Sequence, residues 1–508
     1  MSRPVLVIDF GAQYAQLIAR RVRELGFYSE IVAHTQADQA ILERNPQALI
    51  LTGGPDSVVA PGAKALPAAV LQSGLPTLGI CYGMHLLAHA LGGTLSSGET
   101  REYGRADLST EPSVLFTGLP RYLTVWMSHG DTVSAPPAGF RAVGRTRAVP
   151  VAAMEDKQRR LFAVQFHPEV AHTDRGTDML ANFLHSGAGL TPDWTTGDAI
   201  SLAVARVRQQ VGDGRAIVAL SGGVDSAVAA ALVHRAIGSR LLAVFVDHGL
   251  LRQGEAELVE AGFTTDYPLP FRKVDAKDVF LAGLKGVTDP ELKRKEIGRM
   301  FIDTFRKEAA TLSGYSFLVQ GTLYPDVIES GSGQAAVIKS HHNVGGLPAE
   351  IGFELVEPLR DLFKDEVRAI GRELGLPARL VDRQPFPGPG LAVRVVGEID
   401  AGRLEIARAA DAIVTAEIEQ AGASQKLWQY FAVLTGARSV GVMGDGRTYH
   451  EVVAIRAVTS ADGMTADWGR LPHDLLEKMA NRIVSEVAGV GRVVYDITSK
   501  PPGTIEWE

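Results

Sequence analysis

Short, nearly continuous apolar runs punctuate the first third of the chain: VLVID at 5–9, ALILT at 48–52 and PTLGI at 76–80. Such runs predict parallel strands buried on both faces. Helical stretches such as AQLIARRVRELG lie between the first of them, which gives an α/β sheet. A polar passage rich in Gly and Thr follows, HSGAGLTPDWTTGDA at 185–199, and reads as a linker. The alternation restarts with AIVAL at 216–220 and LLAVFV at 241–246, and runs to about RLVDRQPFPGPG at 379–390. The prolines and glycines at 387–390 cannot continue a helix or a central strand, so the second boundary falls just before them. The remainder, with GVMGDGR, EVVAIRAV and RVVYDITSKPPGTIEWE, predicts a small α+β domain. The expected fold is two successive open, mainly parallel α/β domains, residues 1–190 and 195–382, then the small α+β domain, 383–508. There is no internal repeat and no low-complexity tract.

Composition narrows the class. A chain of 508 residues exceeds one hydrophobic core, and about three domains are expected. An apolar fraction of 46% and a charged fraction of 21% are those of a globular protein. The net charge of −7 argues against a broad nucleic-acid footprint, which needs clustered excess Lys and Arg. No apolar run approaches the ~20 residues that cross a bilayer, so no membrane is expected. The N-terminus passes almost directly into a strand, and with one cysteine and no disulfide framework the expected setting is the reducing cytoplasm.

That cysteine is Cys81, in PTLGICYGMHLLAHALGG, where a strand meets a helix. Flanking Gly79 and Gly83 allow a tight turn that lifts the side chain above the sheet edge. The dipole of the following helix favours a thiolate, the nucleophilic form. The alternative is a small buried hydrophobe. LFAVQFHPEV at 161–170 changes the balance: Pro168 pushes His167 toward an extended conformation, which places Glu169 on the same side. Glu169 can then hold the His167 tautomer while the other ring nitrogen faces a thiol. In LTGGPDS at 51–57, N–H groups at the glycine turn, Gly54 among them, together with that of Tyr82, suit an oxyanion. These pieces together resemble a class I glutamine amidotransferase domain over residues 1 to about 190. The resemblance implies attack of Cys81 on the glutamine side-chain amide, release of ammonia and hydrolysis of a thioester.

AIVALSGGVDSAVAAALVHRAIG at 216–238 reads as strand, glycine loop and helix, a phosphate cradle without the Walker lysine motif. Asp225 beside a polyphosphate suggests Mg²⁺, and a helix N-cap is the other reading. SGGVDS resembles the pyrophosphate loop of the ATP pyrophosphatases. That implies ATP at Ser221, Gly222, Gly223, Val224, Asp225 and Ser226, with Val246 and Asp247 from VDHGLLR at the end of the next strand. Asp247 also fits a solvated loop. DPELKRKEIGRM, with Lys293, Arg294, Lys295 and Arg299, reads as a solvated helix face or as a phosphate contact. Lys339, His341 and His342 in VIKSHHNVGGLP are lid candidates, and the paired histidines lack the spacing of a zinc site.

An amidase beside an ATP-to-AMP domain implies ammonia transfer onto an adenylylated acceptor. FPGPGLAVRVVGEI at 386–399 and YDITSKPPGTIEWE at 495–508 extend the resemblance to the whole chain, as a glutamine-hydrolysing GMP synthase. WMSHGD at 126–131 and GTLYPDVIES at 321–330 fit the same family. The resemblance implies XMP, ATP and glutamine as substrates, Mg²⁺ with ATP, and XMP contacts at Arg394, Lys500 and Glu506. It also implies a homodimer through the C-terminal domain. A glutamine-dependent NAD synthetase would carry a nitrilase-type glutaminase instead of this triad. A glutamine or nucleotide sensor would have no need of a nucleophile.

Overall fold

The apolar runs fold as the inner strands of parallel sheets. The computed structural model describes residues 3–12, 14–170, 172–324, 326, 352–443, 446–460 and 465–508. They divide into two compact units, Met1–Asp198 and Ala199–Glu508.

In the first unit, β1 (Val5–Asp9), helix α1 (Ala15–Glu24), β2 (Ser29–Ala33), β3 (Ala48–Leu51) and β4 (Thr77–Ile80) open the chain. Helix α2 (Tyr82–Ala90) follows. Then come β5 (Thr94–Thr110), β6 (Tyr122–Ala135), β7 (Arg141–Arg145), β8 (Ala153–Asp156) and β9 (Leu161–Val164). All nine strands share one sheet, ordered β2-β1-β3-β4-β9-β8-β7-β5-β6. From β2 to β9 the pairing is parallel; from β9 outward it is antiparallel. Leu6, Ile8, Leu49, Leu51, Met84 and Leu87 pack a core on the sheet face that α2 covers. The expected linker is shorter than its composition predicts. Residues 188–195 are irregular, a helical turn covers Phe183–Gly187 and a helix starts at Thr196. Trp194 packs against Tyr28 with ring centroids 4.5 Å apart, so an aromatic anchor fixes part of the Gly-rich stretch.

The second unit contains two sheets. The first is wholly parallel, ordered β12-β11-β10-β13-β14, from β10 (Ala216–Leu220), β11 (Leu241–Asp247), β12 (Phe271–Asp275), β13 (Phe317–Val319) and β14 (Glu354–Val356). Helix α3 (Val224–Ile237) follows β10, and helix α4 (Pro290–Ala310) precedes β13, with Asp289 capping it through Leu292 N–H at 2.9 Å. Helix α5 (Ala401–Gln420) leads to the other sheet: β15 (Gln429–Met443), β16 (Gly446–Thr459), β17 (Asp467–Trp468) and β18 (Val490–Asp496). Here β16 pairs antiparallel with β15 and β17 and parallel with β18. One buried core runs from Val246, Leu250 and Phe280 through Leu391 and Val395 to Leu434 and Ile455. Side chains from both sides of residue 382 therefore pack together. The prolines and glycines at 387–390 end regular structure as expected and lead into a short helical turn, Gly390–Arg394. Among the described residues no helix is long and apolar enough to cross a membrane.

Candidate active site

At the end of β4 the chain makes a sharp elbow. Cys81 has φ 54° and ψ −106°, a backbone region that non-glycine residues rarely adopt. The turn is held because Cys81 N–H donates to Val164 O at 2.8 Å and Gly83 N–H donates to Thr52 O at 3.0 Å. Both flanking glycines are required by contact and not by dihedral angle. A Cβ on Gly79 would lie 2.6 Å from Gly83 O, and one on Gly83 would lie 2.5 Å from Leu51 O.

Opposite the elbow, the segment after β9 brings His167 and Glu169 to the same edge. His167 N–H donates to Trp126 O at 3.0 Å, and Thr173 Oγ1 donates to His167 O at 2.6 Å. His167 Nδ1 lies 2.7 Å from Glu169 Oε1. Cys81, His167 and Glu169 are buried, at 5%, 4% and 1% exposure. A methyl on Gly53 would stand 3.3 Å from His167 Cε1 and 3.7 Å from Cys81 Cβ, which places the ring beside the nucleophile. Burial alone would lower the His167 pKa. The Glu169 charge and the Cys81 sulfur outweigh it and hold the imidazole well above its ordinary 6.5. With Nδ1 on Glu169, Nε2 is the nitrogen left for the thiol.

The oxyanion candidates sit side by side: a Cβ on Gly54 would be 3.2 Å from the Tyr82 ring. Among the described residues neither the Gly54 nor the Tyr82 backbone N–H has a hydrogen-bond partner. Three further neighbours were not singled out as site residues in the sequence. Cys81 Sγ donates to Ser128 O at 3.6 Å, Gln165 Nε2 reaches Sγ at 3.9 Å, and Gln165 Oε1 meets His85 Nε2 at 2.7 Å. All three lie in the WMSHGD, PTLGICYGMHLLAHALGG and LFAVQFHPEV segments, yet nothing local signals that a strand from residue 122 onward passes over the elbow.

In the second unit the SGGVDS loop joins β10 to α3 at the carboxyl end of the parallel sheet. Gly222 has φ 77°, a left-handed turn that only glycine adopts without strain. Ser226 Oγ accepts from Ser221 N–H at 3.3 Å and donates to Gly223 O at 3.0 Å, pinning the loop on itself. Asp225 Oδ2 lies 3.2 Å from Lys364 Nζ, while Oδ1 is shielded from solvent with no hydrogen-bond partner among the described residues. Asp225 is therefore not spent as an N-cap; Gly223 holds that position and no side chain caps it. Val224 and Val246 turn their side chains into the interior, leaving only their backbones to a ligand. Asp247 ends β11 and is 1% exposed, facing Lys277 Nζ at 3.2 Å and Lys273 Nζ at 3.9 Å, not a solvated loop. Lys339, His341 and His342 lie outside the described residues.

Arg394 is fully buried, with Nε and Nη2 each 3.0 Å from a Glu506 oxygen and its guanidinium 3.9 Å from the Phe431 ring centroid. Asp411 on α5 takes Nη1 at 3.4 Å. The guanidinium is thus committed to carboxylates and an aromatic face and is not presented openly to a phosphate. Lys500 bridges Ala466 through its backbone, at 2.7 and 3.0 Å. The basic run on α4 is not a plain solvated face. Lys293 is 0% exposed, donates to Val395 O at 2.7 Å and pairs with Glu508, which Arg294 also contacts.

A parallel sheet carrying a buried cysteine elbow beside a His–Glu pair defines the class of the first unit, a class I glutamine amidotransferase fold. The family model described as "Glutamine amidotransferase class-I" matches residues 6–186, and that described as "GMP synthase C terminal domain" matches residues 416–507. The chain is 61% identical to the GMP synthase [glutamine-hydrolyzing] of Parafrankia sp. (strain EAN1pec), covering 99% of this chain and 96% of that protein. It is 57% identical to the protein of that name from Geobacillus kaustophilus, covering 99% of each, and 58% identical to that from Thermobifida fusca, covering 99% and 98%. The chain belongs to the glutamine-hydrolysing GMP synthase family and is an enzyme, a ligase.

Proposed function

We propose that the chain aminates XMP to GMP in two coupled half-reactions, with the balance XMP + ATP + glutamine + water → GMP + AMP + pyrophosphate + glutamate. In the first, Cys81 gives its proton to His167 Nε2 and the thiolate attacks the glutamine side-chain carbonyl. The Gly54 and Tyr82 N–H groups receive the oxyanion. The His167 imidazolium, oriented by Glu169, protonates the departing ammonia, and water then hydrolyses the thioester to glutamate. The observation that carries this reading is the 2.7 Å His167–Glu169 contact beside a cysteine held at positive φ.

In the second half-reaction the xanthine O2 of XMP attacks the α-phosphorus of ATP at the SGGVDS loop and pyrophosphate leaves. Ammonia then displaces AMP, a far better leaving group than hydroxide, from the ring carbon. Ser221, Gly222, Gly223, Ser226 and the start of α3 suit the departing phosphates, with Val224 and Val246 contributing backbone and Asp247 orienting Lys277. Asp225 Oδ1, shielded and unpartnered among the described residues, fits a cation ligand. Mg²⁺ held there with phosphate oxygens would supply neutralising charge for the polyphosphate. For XMP we assign Lys500 to the phosphate and Glu506 to ribose hydroxyls or base, with Arg394 holding Glu506 in place. Lys339, His341 and His342 are proposed as lid residues on the family resemblance alone.

We further propose three functional regions, 1–190, 195–382 and 383–508, and a homodimer through the last. Val440, Val442 and Tyr449 support the dimer: they are 57%, 75% and 56% exposed on paired strands β15 and β16, with Val440 opposite Tyr449. The adenylylation step has a direct test. XMP carrying ¹⁸O at O2 should deliver that label to the phosphate of AMP. Label found in pyrophosphate, or left in the purine, would exclude an O2-adenylyl intermediate.

A further inference from the structure

Two polar groups that contact the Cys81 sulfur outside the triad oppose one another. Ser128 O, 3.6 Å from Sγ, is an acceptor and favours the protonated thiol. Gln165 Nε2, at 3.9 Å, is a donor and favours the thiolate. Gln165 is 0% exposed, and its Oε1 lies 2.7 Å from His85 Nε2, itself on a residue 3% exposed. If His85 Nε2 carries the proton, Gln165 must present its NH₂ to the sulfur. A reversed amide would set two acceptors, the Gln165 oxygen and the Ser128 carbonyl, against a thiolate.

We propose that Gln165 is a thiolate-stabilising donor of the glutaminase site and that His85 is the positioning residue that fixes its amide. This deepens, and rests on, the reading of Cys81 as nucleophile. When the thiol proton passes to His167 Nε2, the contact with Ser128 O turns from attractive to repulsive while the contact with Gln165 strengthens. The pocket therefore keeps a donor on the sulfur that does not itself titrate. Burial holds the His85 pKa below its ordinary value, with Gln165 and Asp131 only partly offsetting it. Among the described residues the other titratable groups around this pocket include His167 and Glu169 after β9, His129 and Asp131 on β6, Glu102 on β5, Tyr82 on α2, and Tyr14, whose ring centroid is 5.2 Å from that of His167. His129 is likewise lowered by burial and has its Nδ1 2.9 Å from Asp131 O.

Cys81 is the only cysteine in the chain, so alkylation of the full-length protein by iodoacetamide reports this sulfur alone. The test follows alkylation rate against pH in wild type, Gln165→Met, Gln165→Glu, His85→Leu and the Gln165→Met/His85→Leu pair. Gln165→Met, similar in volume but without a donor, should raise the pH of half-maximal rate by about one unit, the loss of one hydrogen bond to a charged acceptor. Gln165→Glu should raise it further, because a carboxylate repels the thiolate. His85→Leu should shift it in the same direction by less, and add nothing in the Gln165→Met background. A wild-type midpoint in folded Gln165→Met overturns the proposal, as does one in His85→Leu should the Gln165 variant fail to fold. Failure of the underlying reading looks different: Cys81→Ala would then retain glutamine-driven turnover whatever the alkylation profiles show.

Discussion

His167 carries opposed influences, and their sum makes a pH prediction. Burial pushes its pKa down, while Glu169 and the Cys81 sulfur raise it well above 6.5. A raised folded-state value means the native protein binds the proton more tightly than the unfolded chain does. The stabilisation is complete below the ordinary value of 6.5 and is lost as pH rises through the folded value. Glu169→Gln removes the charge responsible. The variant should be less stable than wild type by about 3 kcal/mol below that pH, the order expected for breaking a buried pair. Thermal unfolding at a series of pH values should show the gap closing as pH rises; a constant gap would contradict the assignment. Glutamine-driven turnover should fall by roughly 10²–10⁴ in the same variant, the range for a lost base orienter. At this scale the sequence was informative where chemistry is local: His167 and Glu169 are two residues apart and do meet, although β9 ends at Val164 and a turn at Pro168–Glu169, rather than strand periodicity, brings them together. It was silent on Gln165 and Ser128, whose contact with Cys81 depends on β6 and the segment after β9 converging on the elbow. Lys293 misled for a related reason, because a charge run gives no sign that one member faces the interior.

At the scale of elements, the elbow between β4 and α2 works only if backbone meets backbone on both sides of Cys81. A methyl at residue 79 would collide with Gly83 O at 2.6 Å. Gly79→Ala should therefore destabilise the protein by about 1–3 kcal/mol and displace the nucleophile, lowering both Tm and glutamine-driven turnover. Equal stability and turnover in Gly79→Ala would show that the elbow relaxes. Elements with a single burial pattern are the legible ones: VLVID and AIVAL are strands over the expected residues, the ALILT run is a strand one residue shorter, and the LLAVFV run is a strand one residue longer. The antiparallel strands β5–β8 are not legible as apolar runs: β6 alternates buried and more exposed positions, and β8 is buried throughout but is the mixed segment AMED. The linker expectation shrank because Thr196 begins a helix and Trp194 is anchored, contacts that composition does not encode.

For the whole molecule, the described residues divide into two compact units, and within the second the core through Val246, Leu391 and Ile455 joins side chains from both sides of residue 382. Apolar content alone does not say which elements share a core. The exposed Val440, Val442 and Tyr449 belong to the same scale. Val442→Glu should shift the protein from dimer to monomer in sedimentation analysis and weaken XMP use, since a second copy covers that face in the proposed assembly. A monomeric wild type would remove that part of the account.

The central claim is that glutamine hydrolysis at Cys81 and amination of XMP are separate chemistries in one chain. The most direct measurement is GMP formation from XMP, ATP and Mg²⁺ by wild type and by Cys81→Ala, each supplied with glutamine or with ammonium chloride. Wild type should make GMP from both nitrogen sources and Cys81→Ala from ammonium alone. Glutamine-driven GMP from Cys81→Ala, or loss of ammonium-driven synthesis in the folded variant, would contradict the two-site scheme.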